Sequence, residues 1–348
     1  MSKIKRIGIL TAGGDCPGLN AAIRAVSKPA ILKYGIEVYG ISSGFLGLIE
    51  KEYINITENR LSGILTLGGT ILGTSREKPF KKSSLYLDEI DKPQQIKDNY
   101  KDLGLDCLVC IGGNGTQKTA YRLSKLGLNV VGIPKTIDND IWGTDTCFGF
   151  DSAVSIATDA IDRLHTTANS HRRVMVIEVM GNKAGWIALH SGLAGGGDII
   201  LLPEIDYREE VVADFILKRM TDRHGATIVV VAEGIRKPSN VSAGKYISDV
   251  ISGLTNLESR VTVLGYIQRG GTPTATDRII ATRYGTAALD LILKGDFGKM
   301  VALKDDHMMT IDLEKVEGKL NLVSPKHKLV KSAKSLGTCF GEKIHLKK

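Results

Sequence analysis

Aromatic residues make up only 5% of this 348-residue chain, and they do not interleave with its basic residues. That scarcity removes the stacking platforms on which RNA-binding modules rely, and no zinc-finger spacing takes their place. Lysine and arginine outnumber aspartate and glutamate by 46 to 38, a net charge of +8, but they are scattered along the chain. Such an excess suits an anionic small substrate better than a nucleic acid. Cysteine is also scarce: five residues, an odd number without regular spacing, exclude a disulfide framework. Cys107 and Cys110 form a CxxC, but inside a run that reads as a buried strand. Three positions apart on a strand they face opposite sides, so they do not share one metal ion. No apolar run approaches the roughly 20 residues that span a bilayer. The start, Met1-Ser2-Lys3-Ile4-Lys5-Arg6, leads directly into a strand without the apolar core of a leader. No membrane partner and a cytoplasmic location are therefore expected.

What is abundant is glycine, 39 of 348 residues, or about 11% against roughly 7% in average proteins. Many of these glycines stand at the ends of apolar runs and mark loops. Residues 7–11, 37–41, 108–111, 130–133, 174–180 and 226–232 read as strands. Between them lie helical stretches at 21–33, with Asn20 as N-cap, and at 151–168, with Val154, Ala157, Ile161 and Leu164 on one face. Alternating strands and helices predict an α/β fold whose largely parallel sheet is covered on both faces. Residues 77–103 are more polar (Lys78, Lys81, Lys82, Asp88, Glu89, Asp91) and read as a surface excursion followed by a helix. The basic tail (Lys326, Lys328, Lys331, Lys334, Lys343, Lys347, Lys348) reads as solvated surface. With no repeat or linker-like tract, two interleaved lobes are expected.

Two loops carry the chemistry. After 108–111 comes Gly112-Gly113-Asn114-Gly115-Thr116, and after 130–133 comes Pro134-Lys135-Thr136-Ile137-Asp138-Asn139-Asp140. Both should open at the carboxyl edge of one parallel sheet, where ligands bind in open α/β folds. The first exposes backbone amides suited to phosphate. The second brings two carboxylates and a lysine, suited to proton transfer, metal or phosphate. A third glycine loop, Gly13-Gly14-Asp15-Cys16-Pro17-Gly18, follows the first strand.

Six ordered motifs together resemble the phosphofructokinase family from Arg6 to about residue 300. They are residues 13–20, Gly73-Thr74-Ser75-Arg76, residues 112–116, residues 134–140, Val179-Met180-Gly181, and residues 264–271 (Leu264 to Gly271). The resemblance implies transfer of a terminal phosphoryl group to the 1-hydroxyl of fructose 6-phosphate, with Mg2+. It implies a donor lobe of 1–149 with 268–318 and a sugar-phosphate lobe of 150–267 with 319–348. It places the general base at Asp138, supported by Asp140 and Thr136, and a bridging cation at Arg76. Gly14, Glu77, Gly113, Asn114, Gly115 and Thr116 would hold the donor. Arg173, Arg260, Arg269, Met180, Gly181, Asn182, Glu233 and Tyr266 would hold the sugar phosphate, with Thr136 and Asp138. In the family the counterparts of Arg173 and Arg260 reach a neighbouring subunit's site, which implies a homodimer or homotetramer.

The chain departs from the family pattern at several points. Asn114 stands where many relatives carry an acidic residue assigned to magnesium; an amide oxygen is neutral and should hold a hard cation less well. Tyr266 replaces a histidine and Asn182 an arginine. Gly115 leaves room for ATP where pyrophosphate users carry aspartate, whereas Lys135 is usual in pyrophosphate users. Steric exclusion is harder to evade than an added cation, so ATP is the expected donor and pyrophosphate the alternative. Arg24 and Lys28 match a nucleotide-effector region, but His165 replaces its arginine, so weak or absent control of that kind is expected. A non-catalytic sugar-phosphate or nucleotide sensor, or another sugar phosphate as acceptor, also fits these residues.

Overall fold

The computed structural model describes residues 4–81, 91–221 and 226–342. Lys82, Asp88, Glu89, Lys343, Lys347 and Lys348 of the expected surface segments lie outside the described residues. In chain order the strands are β1 Arg6–Ala12, β2 Glu37–Ile41, β3 Tyr53–Asn55, β4 Cys107–Gly112, β5 Val130–Pro134, β6 Val174–Val179, β7 Ile199–Leu201, β8 Thr227–Ala232, β9 Ser259–Val263, β10 Lys299–Lys304 and β11 His307–Asp312. The chain forms two compact units, one of Met1–Ile137, Ile141–Asp151 and Arg269–Leu320, the other of Asp138–Asp140, Ser152–Gln268 and Asn321–Lys348.

The first unit holds a seven-stranded sheet in the order β11-β10-β5-β4-β1-β2-β3. Its five inner strands run parallel, and the edges β3 and β11 run antiparallel to their neighbours. All six residues of β4 are buried, as expected of a central strand covered on both faces. Strand order reverses about β1 and β4, the topological switch point at which open α/β sheets bind ligands. The second unit holds a four-stranded, wholly parallel sheet, β7-β8-β6-β9.

Two local expectations are corrected. The first long helix runs Leu19–Tyr34, and Asn20 lies inside it; Gly18, at φ 101°, begins it instead. The Asn20 amide is spent elsewhere, donating to the carbonyls of Leu67 (3.1 Å) and Gly68 (3.3 Å) and accepting from the N–H of Ile71 (2.8 Å). The second helix is longer than expected, Phe150–His171. Its fully buried stripe is Ala153, Ala157, Ile161 and Ala168, with Val154 and Leu164 half-buried at its margins. Cys107 and Cys110 are both buried and unoxidised, and burial raises both thiols well above their ordinary range.

Candidate active site

Three neighbouring strands of the first unit stop at one level: Ala12 is paired with Gly112, and Gly112 with Pro134. The loops beginning at Gly13, Gly113 and Lys135 therefore leave the same carboxyl edge. Gly13 turns there with φ 86°, a conformation costly for residues with a Cβ. Its N–H donates to the carbonyl of Ser75 (2.9 Å), and the Thr74 hydroxyl donates to the carbonyl of Gly13 (2.7 Å). The 73–76 loop is thereby fastened to the first glycine loop, with Arg76 exposed beside it. Thr116 is buried and donates to the carbonyl of Ala12 (3.3 Å), tying the second glycine loop to the first. A Cβ on Gly14 would lie 2.9 Å from Nη1 of Arg269, so this glycine lets the guanidinium approach the backbone.

Gly113 caps the helix Asn114–Lys125 without a side-chain hydrogen bond. A helix start of this kind carries partial positive charge and favours anions. Gly115 lies in the first turn, exposed; it needs no left-handed φ, and a Cβ added to it would meet nothing within 4 Å. Lys135 is only 4% exposed, its ammonium donating to the carbonyl of Gly14. Its own N–H donates to Gly112 (3.1 Å). Glu77 forms a nearly buried ion pair with Lys92 (3.0 Å). Burial pushes the Cys16 thiol up to about 12, so this loop cysteine stays neutral and is no nucleophile at ordinary pH.

Within the second unit Asp138, Asn139 and Asp140 form a tight turn. Asn139 takes a left-handed φ of 52°, which Asn tolerates better than most residues. Asn321 grips this turn: its N–H donates to the carbonyl of Asp140 (2.9 Å) and its Nδ2 to that of Asn139 (3.0 Å). The carbonyl of Asn321 in turn accepts from Trp186 Nε1 (2.9 Å). Asp138 is half-buried and Asp140 is 6% exposed.

At the carboxyl edge of the four-stranded sheet, Val179 is paired with Ala232, and Glu178 with Val263. Met180, Glu233 and Tyr266 thus follow adjacent strand ends. Gly181 (φ 140°) and Asn182 (φ 52°) turn the first of these loops, and the carboxylate of Glu233 accepts from the N–H of Asn182 (2.8 Å). Tyr266 is 71% exposed. Arg173 and Arg260 stand at the opposite, amino end of this sheet. Both pair with Glu258, Arg173 at 2.9 Å.

Residues 6–292 match the family model for phosphofructokinase. The chain belongs to the phosphofructokinase family. It is 60% identical over 336 residues to ATP-dependent 6-phosphofructokinase 3 of Bacteroides thetaiotaomicron, covering 97% of this chain and all of that protein. It is 54% identical over 360 residues to the ATP-dependent 6-phosphofructokinase of Spirochaeta thermophila, covering 98% of each. The crystal structure of the pyrophosphate-dependent phosphofructokinase from Marinobacter aquaeolei shares its fold, with TM-score 0.83 and 23% identity over 97% of this chain and 88% of that one.

In this family member Gly14, Arg76, Glu77, Gly113, Asn114, Gly115, Thr116, Lys135, Thr136 and Arg269 all belong to the first unit. Asp138, Asp140, Arg173, Met180, Gly181, Asn182, Glu233, Arg260 and Tyr266 belong to the second. Sequence reading missed Asn321 and Glu258. A polar residue 182 positions downstream carries no local sign that it will clasp the Asn139 turn. Among the described residues no cluster of three or more His, Cys, Asp or Glu could hold a metal ion by itself. No helix among them is long and apolar enough to cross a membrane.

Proposed function

We propose that this chain transfers the γ-phosphoryl group of ATP to the 1-hydroxyl of fructose 6-phosphate, giving fructose 1,6-bisphosphate and ADP. Two relatives that match it over nearly their whole length are named ATP-dependent 6-phosphofructokinases. The observation that carries the choice of donor is Gly115. Glycine is a poorer helix former than alanine. Neither backbone conformation nor packing asks for it here. Room for the nucleotide's phosphates accounts for it.

Asp138 takes the proton of the 1-hydroxyl as that oxygen attacks the γ-phosphorus, and the bond to ADP breaks. A base so placed typically contributes 10²–10⁴-fold. Asp140, largely buried, and the Asn321 clasp hold the turn that aims it. Thr136 contacts the transferring group. The helix start at 113–116, Arg76 and Lys135 face the charge that develops on the phosphoryl oxygens. Gly14 and Thr116 shape the phosphate loop, and Glu77 holds its position through Lys92. Met180, Gly181, Asn182, Glu233 and Tyr266 receive the sugar, Glu233 accepting from its hydroxyls. Arg269, beside Gly14 in the first unit, is a further contact for the sugar phosphate.

Mg2+ keeps several waters and binds through one or two carboxylates plus the donor's phosphates. The donor set fits that chemistry: Asp138 and Asp140 offer carboxylates and Asn114 a neutral amide oxygen, with no closed cage among the described residues. When bound, the ion neutralises phosphate charge.

Arg173 and Arg260 bind the 6-phosphate of a neighbouring subunit's substrate, so the working enzyme is a homodimer or homotetramer in the cytoplasm. Their place at the amino end of the sheet that carries Met180 and Glu233 at its other end supports a role in trans. Lys135 favours a second reading, in which pyrophosphate is the donor. Product analysis with fructose 6-phosphate, ATP and Mg2+ tests the proposal. Equal amounts of fructose 1,6-bisphosphate and ADP are expected. Binding of both substrates without product, or ATP hydrolysis without sugar phosphorylation, contradicts it.

A further inference from the structure

We infer that Gln117 is a positioning residue that sets the phosphate loop at 113–116 and the segment 135–137, which leads toward Asp138, at a fixed separation. It lies on the inner face of the helix Asn114–Lys125 and is 1% exposed. Its Nε2 donates to two carbonyls at once, Gly112 on β4 and Ile133 on β5, each at 2.9 Å. Gly112 is the last residue of β4 and Ile133 the last but one of β5, close to the loops at 113–116 and 135–138. Lys135 N–H also donates to Gly112 (3.1 Å), so the side chain reinforces the end of the β4–β5 ladder beside that backbone bond.

The other end of the amide is poorly served. No donor among the described residues meets Oε1 of Gln117. That atom points at Gly132, where an added Cβ would lie 2.2 Å away. A buried acceptor left without a partner destabilises the fold. An apolar side chain of similar volume would remove that orphan but take a donor from the carbonyls of Gly112 and Ile133, so the two effects on stability largely offset each other. Only a group presenting two N–H donors from one atom, without charge, bridges the two carbonyls. Reaction geometry accounts for the glutamine, because phosphoryl transfer depends on in-line placement of attacking oxygen and phosphorus.

The catalytic part of this inference rests on the phosphoryl-transfer reading above; the clamp itself does not. The test compares full-length wild type with Gln117→Leu, which removes both donors and the orphan oxygen. Thermal midpoints within a few degrees are expected, with kcat lowered roughly 10- to 100-fold and KM for both substrates changed less than about threefold. Amide hydrogen exchange at 113–116 and 135–137 should quicken, a readout independent of activity. Gly132→Ala approaches the clamp from the other side by displacing Oε1 and should give the same pattern, and the double variant should be less impaired than the product of the single effects. Gly132→Ala also serves if the leucine variant does not fold. Unchanged kcat, or strictly multiplicative effects, overturns the inference. Faster exchange in a protein that never phosphorylates fructose 6-phosphate would leave the clamp standing and refute the function instead.

Discussion

The carboxyl edge of the seven-stranded sheet presents glycine and backbone N–H groups, whereas that of the four-stranded sheet presents side chains. At the first, Gly13, Gly14, Gly113 and Gly115 strip away bulk, and Lys135 and Arg269 lie close to Gly14. At the second, Glu233, Asn182 and Tyr266 offer hydrogen-bonding groups, and Glu233 already braces the Asn182 loop. A polyphosphate tail is a row of equivalent oxygens, well met by repeated amides. A sugar is a set of hydroxyls at unequal angles, which only distinct side chains can tell apart. On the proposed reading each edge is built for one half of the reaction.

The largest effect is expected from a change at the proposed base. Asp138→Asn is expected to lower kcat at least 10²-fold while KM for fructose 6-phosphate stays near wild type. Steady-state kinetics decide it, and near-normal turnover removes Asp138 from the base role. Next in size is Gly115→Asp. The new carboxylate has space within the fold but would occupy the room needed by the part of ATP that pyrophosphate lacks, so kcat/KM should fall roughly 10- to 100-fold further with ATP than with pyrophosphate. Equal losses with both donors would undo the steric argument.

Arginines stand at the far end of the four-stranded sheet. Arg173→Ala should raise KM for fructose 6-phosphate about tenfold by deleting charge-assisted bonds, with KM for ATP little altered. Mixing Arg173→Ala with Asp138→Asn subunits should restore activity, since one shared site then escapes both lesions. No recovery on subunit exchange would place Arg173 in its own chain's site.

The smallest effect lies away from both edges. His327 caps the helix Lys328–Ser335, its Nδ1 accepting from Leu329 N–H (3.3 Å), with its ring 5.1 Å from that of Trp186. Burial, aided by Lys328, holds its imidazole below the ordinary 6.5. The unfolded chain therefore takes up a proton below 6.5 that the folded chain resists. Stability from this group is present above that value and drains as pH falls toward the lowered one. Urea midpoints at two pH values on either side of this window should fall slightly more for wild type than for His327→Asn.

Much of this was legible in the order of residues, for identifiable reasons. Continuous apolar runs bounded by glycine gave β1, β4 and β5 nearly to their ends, because a central parallel strand is buried on both faces. Loop chemistry at 112–116 and 134–140 could be read because strand ends in such sheets share an edge. Asn20 was misread, since an asparagine before an apolar helix looks like a cap whether or not a distant loop claims its amide. Asn321, Glu258 and Gln117 left no local sign. Each acts through partners fixed only when the chain folds back or neighbouring strands pair, and a buried glutamine on an otherwise ordinary helix face has no pattern of its own. The family resemblance, and not periodicity, singled out Arg173 and Arg260.

The most direct measurement is initial rate at fixed fructose 6-phosphate and Mg2+, with ATP and pyrophosphate supplied in turn to the purified protein. Fructose 1,6-bisphosphate should form faster with ATP. Faster turnover with pyrophosphate, or no bisphosphate with either donor, would contradict the proposed function.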